Sequence, residues 1–141
     1  MYLWTFIRVS SKILGILNIN SPYSKRLEFW EEIFQSGILE DRSLIVVGDF
    51  NFMLFTEEIW GAGKYEDPLS YFFRSKFEEM KLVDIVPNVM IRTWSNGWCG
   101  DMGLAKWLDR FFLVEYMCED FGKYRTWSYS VGISDHNLVI L

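Results

Sequence analysis

Leu44-Ile45-Val46-Val47-Gly48-Asp49-Phe50-Asn51 is the stretch from which the rest of this chain can be read. Its first four residues form an unbroken apolar run of strand length, the pattern of a strand covered on both faces. The run stops at a glycine, a carboxylate and an amide. The C-terminal end shows the same junction reversed. Ser134-Asp135-His136-Asn137 stands directly before Leu138-Val139-Ile140-Leu141 and holds the only histidine. Between the two, Leu108-Asp109-Arg110 sets a carboxylate in an apolar, aromatic-rich stretch. One imidazole, three aspartates and an asparagine at the ends of hydrophobic strands are the parts of a metal-assisted phosphate-cleaving site.

Working outward, Ile13 to Ile19 reads as a strand rich in branched residues. Ser24 is placed to cap a helix from about Lys25 to Gln35, whose apolar Leu27, Trp30, Ile33 and Phe34 recur at helical spacing. Asp67-Pro68 starts a second helix running to about Met80, with Asp67 as its cap. Leu82 to Val86, Arg92 to Ser95, Leu104 to Val114, Tyr124 to Ser128 and Asn137 to Leu141 read as strands. Many strands with two intervening helices predict an α/β or α+β sandwich, and no repeat or linker divides residues 1–141.

The chain of 141 residues suits one domain, and with half its residues hydrophobic and 18% aromatic it can bury a real core. A net charge of −5 argues mildly against tight non-specific nucleic-acid binding, which draws on Lys and Arg, although carboxylates gathered around a metal also make a chain acidic. Lys123 and Arg125 are the basic residues best placed to touch a phosphate backbone, and a solvated face is the commoner role for such a pair. Cys99 and Cys118 give neither a disulfide framework nor a metal spacing, so a reduced, intracellular setting is expected. No apolar span approaches the roughly 18 residues of a membrane helix.

The ordered strings GDFN (Gly48 to Asn51), TWSNG (Thr93 to Gly97), LDRFFLV (Leu108 to Val114) and SDHN (Ser134 to Asn137), with Asn18-Ile19-Asn20-Ser21-Pro22 and Phe29-Trp30 before them, resemble the endonuclease/exonuclease/phosphatase superfamily. The branch they are most similar to is the endonuclease domain of plant LINE-type retrotransposons. Each string alone is weak; the ordered set is fairly specific. The resemblance covers roughly residues 12–141. It implies a four-layer fold, two packed sheets flanked by helices. It implies Mg²⁺-dependent (or Mn²⁺-dependent) hydrolysis of a DNA phosphodiester, with a nuclear location if DNA is the substrate.

By the same resemblance Asp49 orients or deprotonates the attacking water and Asn51 holds a phosphate oxygen. The spacing of those two puts both side chains on one side of an extended segment, and Gly48 lets backbone or ligand approach closely. Asp109, read on one strand face with Trp107 and Phe111, is expected to bond His136, fixing its tautomer and raising its pKa. Asp135 belongs to the metal shell by resemblance. Thr93 lies near the scissile phosphate, and Ser134, counted with it on the substrate side, orients its own loop. Trp94 reads as core packing.

The family's domain begins with a strand carrying an Asn and a second carrying a Glu that binds the metal. This chain is expected to start after both and so to be N-terminally incomplete. Where the family has a Tyr in N-I-Y-x-P, this chain has Asn20. Mg²⁺ is therefore expected to be weakly held and nicking to be poor or absent. Should activity persist, Glu57 or Glu58, just beyond GDFN, is the carboxylate expected to stand in. A phosphatase of small phosphate esters, and a non-catalytic remnant that binds partners, are the alternatives from other functional classes. The sequence leaves the oligomeric state open.

Overall fold

The computed structural model describes residues 2–9, 12–40, 43–61, 63–120, 125–129 and 134–141. Lys123 and Tyr124, which the sequence reading gave to a basic face and a strand, lie outside them. In chain order the elements are β1 (Tyr2–Val9), β2 (Lys12–Asn20), α1 (Arg26–Gln35), β3 (Leu44–Asp49), β4 (Ile59–Gly61), α2 (Ser70–Glu79) and β5 (Leu82–Asp84). They continue with β6 (Trp94–Ser95), β7 (Leu104–Lys106), β8 (Asp109–Val114), α3 (Glu115–Asp120), β9 (Trp127–Tyr129) and β10 (Leu138–Ile140).

The main sheet has the order β1-β2-β3-β8-β5. Only its β2–β3 pair is parallel, and α1 supplies the crossover that a parallel pair needs. A three-stranded sheet β4-β7-β6 and a two-stranded sheet β10-β9 complete the β structure. The architecture is the expected mixture of helices and packed sheets. Among the described residues no helix is long and apolar enough to cross a membrane, and both cysteines are free.

The helices α1 and α2 meet the main sheet through aromatic rings. Trp30, fully buried, stacks on Phe50 at 5.2 Å between centroids and meets Phe73 and Phe77 of α2 edge-on at 5.9 and 5.6 Å. Phe77 in turn stacks on Phe112 of β8 at 4.4 Å. Ring pairs at these spacings add to the burial energy of the side chains themselves. The helical stripe holds for Trp30, Ile33 and Phe34, whereas Leu27 in the first turn is 38% exposed.

Four local readings change. Ser24 caps nothing: it sits inside a 3-10 turn, Tyr23–Lys25, that leads into α1, and no side chain caps that helix. Asp67 does accept the Leu69 N–H at 3.0 Å, but α2 starts only at Ser70. The expected strand Leu104 to Val114 is two strands in two sheets. The chain turns at Trp107 and Leu108, so Trp107 shares no strand face with Asp109 and its indole N–H donates to the Asp109 carbonyl at 2.6 Å. Beyond these, β1, β4 and α3 were not anticipated.

Arg110 is the other departure. Strand alternation sends it to the opposite face from Asp109, where it is fully buried. It donates to Glu58 and, at 2.5 Å, to Asp84, and its guanidinium lies over the Trp107 ring at 5.1 Å. A buried guanidinium is tolerable only with such partners.

Candidate active site

The register of β3 and β8 sets Asp49 directly across from Asp109. Gly48, next to Asp49, lets β3 lie close to its other neighbour, β2. The Gly48 φ is +135°, and a Cβ there would stand 1.9 Å from the Ile19 carbonyl oxygen. The glycine thus serves the close approach of β2 to β3. Two residues past Asp49 the chain is no longer extended: Asn51 has φ 53°, in the left-handed region that Asn tolerates.

In that turn the Asn51 N–H donates to Asp49 Oδ1 at 2.9 Å. Its side-chain Nδ2 donates to Asp49 Oδ2 at 3.1 Å and to the Ser21 carbonyl at 2.6 Å. Both amide hydrogens are therefore spent inside the protein. Asn51 holds Asp49 in place instead of offering its N–H groups to a phosphate oxygen, as the sequence reading had it.

His136 reaches this pair from the C-terminal segment. Its Nδ1 is 2.8 Å from Asp109 Oδ2, and its Nε2 is 3.9 Å from Asp49 Oδ2. The segment is docked through a bridge between Trp94 and His136 and by the Asn137 N–H on the Thr93 carbonyl at 2.6 Å. Thr93 itself is 2% exposed. Its hydroxyl accepts the N–H groups of Leu108 and Asp109 at 2.9 and 3.0 Å. It is buried and fixes the start of β8. Ser134 is exposed and accepts the His136 N–H on its Oγ at 3.1 Å, so it does shape its loop. Asp135 is also exposed, and its Oδ2 accepts the indole N–H of Trp94 at 3.0 Å. The side chains of Asp49, Asn51, Asp109 and His136 thus form one connected group, with the Asp135 charge acting on Asp49 and His136 from beside it.

No protein-family model matches this chain, and no curated protein matches its sequence. Solved structures do. The endonuclease domain of TRAS1, a telomere-specific non-LTR retrotransposon, aligns with a TM-score of 0.70 at 18% identity, over 96% of this chain and 58% of that one. This chain shares the fold of that domain. The chain spans 58% of that domain's length. TDP2 of D. rerio, complexed with a single-strand DNA product, aligns at a TM-score of 0.43 and 11% identity over 92% of this chain and 50% of that one, too distantly to add to the argument.

The group is electrostatically loaded. Burial holds the Asp49 carboxyl above its ordinary range, and the neighbouring Asp109 and Asp135 charges push the same way, against the Asn51 N–H and His136. The hydrogen bond that His136 donates to Asp109 raises the His136 pKa, overcoming partial burial, with the Asp109, Asp49 and Asp135 charges adding to it. The imidazole is thereby biased towards its protonated form between carboxylates on both ring nitrogens.

Among the described residues no group of three or more His, Cys, Asp or Glu side chains is placed to hold a metal ion. Asp49 and Asp135 are nonetheless hard oxygen donors, and a cation would offset the Asp109 and Asp135 charges that add to the effect of burial on Asp49. Mg²⁺ commonly takes one or two carboxylates and fills its octahedron with water and phosphate oxygens, so the set fits an open Mg²⁺ site. Glu58 cannot stand in as a further ligand: it is 2% exposed, bound to Arg110 and accepting the Leu54 N–H at 2.7 Å.

One support of the site had no sequence signal. Arg26 donates to the Asn51 carbonyl at 2.9 Å and grips Asp67 through both carboxylate oxygens at 2.7 Å. That clamp pins the turn bearing Asp49 and Asn51, and it joins residues 41 apart. The Trp94 indole, read as core packing, does pack, half-buried, against Met53, Ile59 and Leu108, and its N–H also serves Asp135.

Proposed function

We propose that residues 1–141 form a partial endonuclease/exonuclease/phosphatase domain of retroelement descent, of the plant LINE type, and that it hydrolyses DNA phosphodiesters slowly with Mg²⁺. The observation that carries this is the His136 ring held between Asp109 at 2.8 Å and Asp49 at 3.9 Å. The ordered strings and the fold shared with a retrotransposon endonuclease domain support the lineage.

Each residue then has a chemical task. Asp49, its basicity increased by burial and fixed by the Asn51 amide, accepts the proton of the attacking water. His136, kept protonated by Asp109, turns its Nε2–H towards the phosphoryl group, where negative charge grows as the ester bond breaks. Asp135, with Asp49, would hold Mg²⁺, which would supply Lewis-acid polarisation of a phosphate oxygen. With so few protein ligands the ion is weakly held, and misplacement of such groups by about 1 Å costs on the order of 100-fold in rate.

The test is plasmid nicking by the purified chain across a Mg²⁺ series, beside Asp49→Ala and His136→Ala. The expected result is slow nicking that keeps rising with Mg²⁺ and is abolished by either substitution. Nicking that survives His136→Ala, or no nicking at any Mg²⁺ concentration, would reject the proposal.

A further inference from the structure

Lys106 of β7 points into a fence of rings. Its Nζ lies 5.3, 5.7 and 6.0 Å from the ring centroids of Tyr65, Trp94 and Tyr23, and 3.0 Å from the Tyr65 hydroxyl oxygen. The rings come from three separate segments: the turn before α1, the loop after β4, and β6. Tyr23 and Tyr65 lie at the surface, 60% and 38% exposed, while Trp94 is half-buried and packs against the Met53, Ile59 and Leu108 cluster. Both ends of the cluster touch the site. Tyr23 stacks over the Arg26 guanidinium at 5.1 Å, and Arg26 holds Asn51; Trp94 donates to Asp135.

From this geometry we infer that Tyr23, Tyr65, Trp94 and Lys106 form a binding platform for a single-stranded stretch of nucleic acid beside the carboxylate–imidazole group. The inference deepens the nuclease reading and rests on it for the identity of the polymer. A strand entering a site lined by Asp49, Asp109 and Asp135 is repelled by charge, and the whole chain carries −5. Phosphate attraction alone is a poor source of affinity here. Open aromatic rings offer what charge does not, because every unpaired base has a π face and stacking is indifferent to net charge. Lys106, positioned by cation–π contacts, adds one local phosphate partner. A duplex keeps its bases stacked on one another and can use only the lysine, so the platform selects unpaired over paired DNA.

The experiment is fluorescence anisotropy with a short labelled oligothymidylate and a matched duplex, with EDTA present so that neither is cleaved. The wild-type chain is expected to bind the single strand more tightly. Tyr23→Ala and Tyr65→Ala should each weaken single-strand binding by roughly tenfold, the scale of one lost stacking contact, and leave duplex binding nearly unchanged. Tyr23→Phe and Tyr65→Phe, which keep the ring, should retain it. Lys106→Ala should weaken both forms and lower the salt slope by about 1. Thermal melts of each variant separate these losses from unfolding. Equal loss on both forms, or single-strand binding indifferent to both Tyr→Ala changes, would overturn the platform. Because cleavage is not read, the two proposals fail separately. Ring-dependent binding without nicking leaves the platform standing, and His136-dependent nicking with unaltered binding in the Tyr→Ala variants leaves only the nuclease.

Discussion

Replacing Asp109 by Asn tests the centre of the site, because it keeps the shape of the side chain and removes the charge that holds His136. The bond it alters is 2.8 Å long, between side chains that are 31% (His136) and 19% (Asp109) exposed. A hydrogen bond to a charged group contributes about 1.5–3 kcal/mol. Solvent screening at this exposure reduces that to about 1 kcal/mol. The folded state raises the His136 pKa, so folding favours the protonated ring. This contribution is complete below the unfolded value of about 6.5 and is lost as pH rises through the higher folded value. Urea unfolding should therefore show wild type more stable than Asp109→Asn by about 1 kcal/mol near pH ~5.5, with the gap narrowing at alkaline pH. With a single histidine in the chain, NMR of the ring protons reports the titration without assignment. Asp109→Asn should move the midpoint down, and Asp49→Asn, at 3.9 Å, should move it less. An unchanged midpoint in Asp109→Asn, or a larger effect from Asp49→Asn, would refute the role given to the short bond.

Arg110→Met leaves Glu58 and Asp84 buried without their cation and should cost about 3–5 kcal/mol in urea unfolding, the scale of a broken buried ion pair; a loss under about 1 kcal/mol would show that water reaches both carboxylates. Gly48→Ala forces a Cβ to within 1.9 Å of the Ile19 carbonyl oxygen at φ +135°. It should lower stability by about 3 kcal/mol or more and remove any nicking, and a variant with wild-type melting would show that β2 can move aside.

The parts of this protein legible in its sequence are those whose physics is local. Leu44 to Val47 is apolar at every position, so it reads as a buried strand, and the strand is there. Asp49, Asp109 and His136 stood out because each sits in one of the ordered strings GDFN, LDRFFLV and SDHN, and the fold brings them together. What stayed hidden depends on partners far along the chain. Thr93 looked like a substrate contact, yet its oxygen is filled by backbone 15 and 16 residues away. Asn51 looked free, yet Ser21, 30 residues before it, takes one of its hydrogens. A string of residues shows which side chain is present and not which of its atoms remain unused.

The pair Asp109-Arg110 shows why two adjacent residues of one motif carry different information. Period-two alternation on β8 turns Asp109 to the histidine and Arg110 into the interior. The arginine is thereby removed from any contact with DNA and committed to Glu58 and Asp84, which come from the ends of two other elements. Glu58 also accepts the Leu54 N–H, so the buried cation ties β8 to the loop that follows Asp49 and Asn51. The carboxylates that face each other across β3 and β8 are held from below by this ion group and from the side by Arg26 and Asp67. A site with three neighbouring carboxylates is self-repelling, and its geometry persists only because the surrounding charges are already paired. The two arginines act by fixing the strand and the turn from which Asp49 and Asp109 project, without touching the reacting atoms.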